Sequence, residues 1–181
     1  MSRLKIVDPA QASGKAKELL VGVQKKLGVT PNMTKVMANS PAVLEGYIHF
    51  SGSLGSGSLS PRLREQLALV VGETNGCEYC VSAHSAIGKL VGLNETEIGK
   101  SRAAQGTNPR ETAALQFARE IVRAQGRVGK EAVETLKAAD FNDGEVAEII
   151  ANVALNIFTN YFNNITDVDV DFPRVALRKT A

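Results

Sequence analysis

Proline placement constrains this chain more than any other feature. Five of its six prolines follow a residue that caps helices or makes turns: Asp8-Pro9, Thr30-Pro31, Ser40-Pro41, Ser60-Pro61 and Asn108-Pro109. Proline at the first helical position gives up no needed N–H, and the residue before it can accept from the exposed amides. Each pair therefore predicts a helix start. Capping-box-like patterns recur at Asn94-Glu95-Thr96-Glu97, Asn108-Pro109-Arg110-Glu111 and Asn142-Asp143-Gly144-Glu145. Between these starts the apolar residues keep helical spacing. Leu63, Leu67, Val70 and Val71 form one such set, and Leu115, Ala118, Ile121 and Val122 another. Val146, Ile149, Ile150, Val153, Ile157 and Tyr161 form a long third stripe. A weak strand-like alternation is confined to Val168-Asp169-Val170. The expectation is an all-α fold of about eight helices with no parallel sheet.

The 181 residues suffice for one domain with a real core. We expect a single domain over residues 1–181. It comprises an N-terminal helical arm over 1–55, a core over 60–165 and a tail over 166–181. The Gly- and Ser-rich stretch from Ser51 to Ser58 reads as a helix end and loop inside that domain rather than a linker. A net charge of +2 gives no basic surface for nucleic acid or anionic membranes. Trp is absent and aromatics make up 5%, so base-stacking platforms are not expected. The N-terminal residues reach charge and proline before an apolar h-region forms, and no apolar run is long enough to span a bilayer. These features predict a cytoplasmic protein with neither a nucleic-acid nor a membrane partner. In a reducing compartment, two cysteines three residues apart suit catalysis or metal binding better than a structural staple.

The chemistry concentrates in Gly76-Cys77-Glu78-Tyr79-Cys80-Val81-Ser82-Ala83-His84. Read as the first turns of a helix, this places Cys77, Cys80 and His84 on one narrow stripe with Val81, Ile87, Gly88 and Val91. Both thiols and the imidazole then face the apolar side, beside a helix N-terminus. A free thiol titrates near about 8.5, so little thiolate exists at neutral pH. The helix end and the imidazole favour the thiolate, and burial opposes it. Lowering the pKa by two units takes about 2.7 kcal/mol. Glu65, on the preceding helix beside Ala68, Leu69 and Gly72, is the candidate carboxylate to orient and balance His84. Gly72, Asn75 and Gly76 would let the two helices fold together. Two blander readings stand alongside: a pair of small buried core cysteines, or a zinc site formed by Cys77, Cys80 and His84. Which sulfur is the nucleophile stays open on the residues alone. Cys77 is nearer the helix dipole, and Cys80 is one turn from His84.

Glu65 followed by Cys77-x-x-Cys80-x-x-x-His84 resembles the core motif of the AhpD-like alkylhydroperoxidases of the carboxymuconolactone decarboxylase superfamily. The stretch from Leu63 to Gly92 is similar to the helical hairpin of that family. Phe158-Thr159-Asn160-Tyr161-Phe162-Asn163 and Asp171-Phe172-Pro173 resemble a peroxidase-related subgroup. The resemblance implies an AhpD-like helical bundle that forms trimers or hexamers, and reduction of hydroperoxides through a Cys77–Cys80 disulfide cycle. It implies Cys80 as the peroxidatic thiol, Cys77 as the resolving thiol, His84 as the proton relay and Glu65 as its partner. Some members carry a second His between the cysteines, where this chain has Tyr79. No flavin, haem or nicotinamide motif is present, so no cofactor is expected and the electrons come from an external dithiol or a protein reductant. A redox sensor or disulfide-relay adaptor with little turnover, and a decarboxylase-like relative, are the alternative functions. Tyr79 is expected to point away from the cysteines into packing, and His49 to lie on a helix surface or interface. Asn152, Asn156 and Asn160, four residues apart, are either buried amides or a polar outer face.

Overall fold

The structure, a computed structural model, describes residues 2–178; Met1 of the expected arm and residues 179–181 of the expected tail lie outside them. Among the described residues there are nine helices and no strand. They are α1 (Gly14–Leu27), α2 (Asn32–Met37), α3 (Pro41–Gly55), α4 (Pro61–Thr74), α5 (Glu78–Leu90), α6 (Glu95–Arg102), α7 (Pro109–Ala124), α8 (Lys130–Ala138) and α9 (Asp143–Thr166). The fold is all-α, as the proline and apolar patterns predict.

The caps work as their chemistry requires. Ser60 and Asn108 each accept the N–H three residues on, and proline sits in the first turn behind them. Asn94 and Asn142 complete full capping boxes with Glu97 and Glu145. Ser40 precedes α3, but its side chain makes no capping bond, and Pro31 itself is the N-cap of α2. Asp8-Pro9 opens no helix. The Asp8 carboxylate accepts from the Ala10 N–H and closes a turn instead.

Helix α4 is the hub, packing on α5, α6, α7 and α9. One side supplies Leu63, Leu67, Val70 and Val71 to the main core, shared with Leu115, Ala118, Ile149 and Val153. Each such side chain, fully withdrawn from water, stabilises the fold by about 2 kcal/mol. A second core joins the N-terminal helices to the cysteines: Leu20, Met33, Val36, Met37 and Leu44 pack with Cys77, Tyr79 and Cys80. The Ser51–Ser58 stretch is the last turn of α3 followed by a turn onto α4. The Glu148 carboxylate holds that turn by accepting from the Ser58 and Leu59 N–H groups at 2.8 and 3.0 Å.

The strand-like run at 168–170 forms no strand. From residue 167 the chain runs irregularly across α2 and α5, and side chains satisfy it. Asp171 accepts from the Asn32 N–H at 2.7 Å and from the Tyr79 hydroxyl at 2.8 Å. The Val175 N–H donates to Ser82 Oγ, and the Arg178 N–H to Glu73. Phe172 meets the Tyr79 ring edge to face at 5.8 Å between centroids. The tail is thus a strap laid across the cysteine-bearing helix.

Candidate active site

The turn between α4 and α5 builds the site. Gly76 takes the left-handed backbone conformation (φ 63°), which glycine adopts without steric cost. The Cys77 N–H then returns to the Gly72 carbonyl at 2.9 Å. At Gly72 an added Cβ would stand in contact with Cys80 Cβ and Val81 Cγ2, each at 3.4 Å, so the two helices pack closely there. Cys77 is the N-cap of α5 rather than part of its first turn. Its sulfur accepts the Cys80 N–H at 3.3 Å, and the two cysteines are joined in a disulfide with Cα atoms 5.3 Å apart. Both are buried, Cys77 to 0% and Cys80 to 3% exposure.

One turn on, His84 Nδ1 lies 2.7 Å from Glu65 Oε2, with both side chains largely buried. A carboxylate only accepts, so the proton of this contact sits on Nδ1 and Nε2 is left free to exchange protons. Two cavities meet at the imidazole. One, of about 80 Å³, is lined by Met33, Tyr79, Cys80, His84, Asn163 and Phe172, among others. The other, of about 100 Å³, is lined by Arg64, Glu65, His84, Asn152, Asn156 and Thr159, among others. Tyr47 and Thr159 line both. Cys80 is on the wall of the first; Cys77 is not. Among the described residues no group of three or more His, Cys, Asp or Glu is arranged to hold a metal ion. The two sulfurs bond each other, and His84 Nδ1 bonds Glu65.

The structure therefore brings Glu65, Cys77, Cys80 and His84 to one place. It corrects the expectation for Tyr79. Its side chain is buried in the same cluster as the cysteines, lines the Cys80 cavity, and accepts from the Met33 N–H while donating to Asp171. Burial, reinforced by the Asp171 carboxylate, holds its hydroxyl far above the ordinary tyrosine range, so it stays a neutral donor. Tyr47 shifts the same way, through burial first and the Glu65 charge second. His49 is exposed. Asn152, Asn156 and Asn160 are buried within the chain, not an outer face. Asn163 is a site residue that the cysteine motif does not point to. Its amide donates to Cys80 Sγ at 3.2 Å and Met33 Sδ at 3.3 Å. The available signal was its position, three residues beyond Asn160 on the row of amides.

Among known proteins, the carboxymuconolactone decarboxylase family profile matches residues 41–120. That segment runs from α3 into α7 and contains Glu65, both cysteines and His84. Over that segment the chain is similar to the carboxymuconolactone decarboxylase family, and the chain has the AhpD-like fold. Its fold is similar to an alkylhydroperoxidase AhpD core, an uncharacterised peroxidase-related protein from Ralstonia eutropha JMP134. The TM-score is 0.85 and the identity 24%, over 94% of this chain and 92% of that one. A peroxidase-related protein from Silicibacter sp. TM1040 superposes with a TM-score of 0.81 at 24% identity, over 92% and 88%. The debrominase Bmp8, as a cysteine-to-alanine variant in complex with 2,3,4-tribromopyrrole, gives a TM-score of 0.79 at 22% identity, over 94% of each chain. No curated protein matches the chain in sequence. Proteins that share this AhpD-like fold thus include peroxidase-related proteins and a debrominase.

Proposed function

We propose that this AhpD-like chain is a thiol-dependent peroxidase that reduces hydroperoxides through a Cys77–Cys80 dithiol/disulfide cycle. One observation carries the reading: Cys80, the sulfur on the cavity wall, shares that cavity with His84, and His84 is bound to Glu65 on its far side. In the dithiol state, His84 Nε2 takes the Cys80 proton, and the imidazolium is held by the Glu65 carboxylate. The Cys80 thiolate attacks the terminal oxygen of the hydroperoxide. The S–O bond forms, the O–O bond breaks, and the departing alkoxide takes the proton from His84 and leaves as alcohol. Cys80 is then a sulfenic acid. The Cys77 sulfur, one helical turn away, attacks Cys80 Sγ, forming the S–S bond and releasing water. An external dithiol or protein reductant restores both thiols by two exchanges. In this reading Cys80 is peroxidatic, Cys77 resolving, His84 the proton relay and Glu65 its charge partner.

The aromatic walls of the cavity, Tyr79 and Phe172, favour one second reading on the fold shared with Bmp8. In it the Cys80 thiolate takes bromine from an electron-rich ring, the ring carbon takes a proton, and Cys77 displaces bromide to give the same disulfide. We place the protein in the cytoplasm and as a homo-oligomer, a trimer or hexamer. The outward stripe of α9, Ile150, Phe158, Tyr161 and Ile165, supports self-association.

Consumption of cumene hydroperoxide with a dithiol reductant tests the assignment, in the wild type and in Cys77→Ser and Cys80→Ser. We expect turnover in the wild type, a single sulfenate-forming event in Cys77→Ser and no reaction in Cys80→Ser. Turnover surviving in both variants would eliminate the disulfide cycle. Bromide release from 2,3,4-tribromopyrrole without peroxide consumption would move the assignment to the second reading.

A further inference from the structure

Asn163 stands on α9, 83 residues from Cys80 in sequence, yet its amide reaches the cysteine sulfur. The side chain is buried to 3% exposure. Its orientation is dictated by its neighbours. Met33 Sδ and the disulfide sulfur of Cys80 carry no hydrogen, so only the NH2 end of the amide can bond them, and it does so at 3.3 and 3.2 Å. That leaves Oδ1 buried with no hydrogen-bond partner among the described residues. An orphaned buried carbonyl costs about 1–3 kcal/mol. Asn163 also lines the cavity that reaches Cys80 and His84.

We propose that Asn163 is a catalytic residue that holds both reactants with one amide. This rests on the peroxidase reading. Its N–H donates to Cys80 Sγ and stabilises the thiolate. Its Oδ1 accepts the O–H of the hydroperoxide. The two amide atoms share one carbon. A sulfur on one and a peroxide oxygen on the other are therefore held side by side, at the near-attack separation of about 3–3.5 Å. The bonds made and broken are those of the first step above: S–O forms, O–O breaks, and His84 supplies the proton to the alkoxide. As charge leaves the sulfur, the same N–H remains on the nascent sulfenate. The Cys77 sulfur has a backbone donor instead, the Cys80 N–H of the helix cap.

The test uses the full chain with Cys77→Ser, so that Cys80 is the one thiol, and adds Asn163→Leu or Asn163→Asp. Thiolate is read from the pH dependence of alkylation by monobromobimane. The other titratable groups facing Cys80 are His84 on α5, Tyr79 on α5 and Tyr47 on α3, with Glu65 behind His84 and Asp171 behind Tyr79. All of them are unchanged in the comparison. We expect the thiol titration to rise by about one unit in Asn163→Leu, the size of one lost hydrogen bond to a charged group, and further in Asn163→Asp. Alkylation involves no O–H. The rate of sulfenate formation with cumene hydroperoxide should therefore fall at least about tenfold beyond the loss in thiolate-corrected alkylation. Titration and peroxide rate both within twofold of the parent, in folded variants, would overturn the proposal. If the variants do not fold, the side-chain amide resonance of Asn163 in the Cys77→Ser chain decides. It must shift as Cys80 titrates, and a resonance that stays still overturns the donor role. The titration needs no peroxide, so its failure is distinguishable from failure of the peroxidase reading, which is a wild type that consumes no hydroperoxide.

Discussion

At the scale of single residues, the site depends on polar side chains held by one or two specific partners. Replacing His84 with Asn keeps bulk but removes the free Nε2 base. Peroxide turnover should fall by about 10²–10⁴-fold while the fold survives, read as kcat/KM beside a circular-dichroism melt. Tyr79 is a structural counterpart. Its hydroxyl joins the buried Met33 N–H to the exposed Asp171, so Tyr79→Phe leaves that N–H unpaired and should cost about 1–3 kcal/mol in urea unfolding. The same substitution should alter the alkaline limb of stability. In the unfolded chain a tyrosine loses its proton near about pH 10, but in the folded chain burial and Asp171 keep Tyr79 protonated well above that. The unfolded state therefore binds fewer protons, and stability falls as pH rises past the unfolded value. Melting temperature against pH from 8 to about 11 should decline less steeply in Tyr79→Phe than in the wild type.

At the scale of helices and turns, the joints are set by single side chains. The α3–α4 turn hangs on Glu148, whose carboxyl is held below its ordinary range by the Ser58 N–H and then the Leu59 N–H. A depressed folded-state value means a contribution that is full above the unfolded value, near about 4.3, and lost as pH drops through the folded one. Glu148→Gln should lower the melting temperature at neutral pH by a few degrees and flatten its decline between about pH 5 and 3. At the α4–α5 crossing, Gly72→Ala meets only contact distances, whereas Gly72→Val pushes into Cys80 and Val81 and should destabilise by about 1–3 kcal/mol. The sequence announced these helices because caps and stripes are local: Ser60, Asn94, Asn108 and Asn142 act on amides three residues away. Asp8-Pro9 misled for the same reason, since an Asp before Pro serves a turn as readily as a helix. Glu65 was legible as the partner of His84 because a short turn joins their helices and fixes how those helices face each other. The contacts of Tyr79 with Asp171 and of Asn163 with Cys80 span 92 and 83 residues. A helical wheel says which side a residue is on, not which distant element covers that side, so these stayed invisible.

At the scale of the whole molecule, α9 runs along both main cores, with Ile149 and Val153 in one and Phe162 packed against the other, and the redox pair lies in the one shared with the N-terminal helices and the strap. The outer stripe of α9 leaves Tyr161 and Ile165 more than half exposed. Light scattering behind a sizing column should report a trimer or hexamer, and Tyr161→Lys with Ile165→Lys should shift it toward monomer without changing the helical content. The cap formed by Cys77 has a further effect on timing. Both sulfurs sit at the N-terminus of one helix, Cys77 as its cap and Cys80 in its first turn, so oxidation and ring closure can finish within a rigid frame. Refilling with electrons requires a bulkier donor to get beneath the strap. Mixed rapidly with excess hydroperoxide, the reduced protein should therefore consume one equivalent in a fast burst. A slow steady phase should follow, with a rate that tracks the donor and is indifferent to the oxidant.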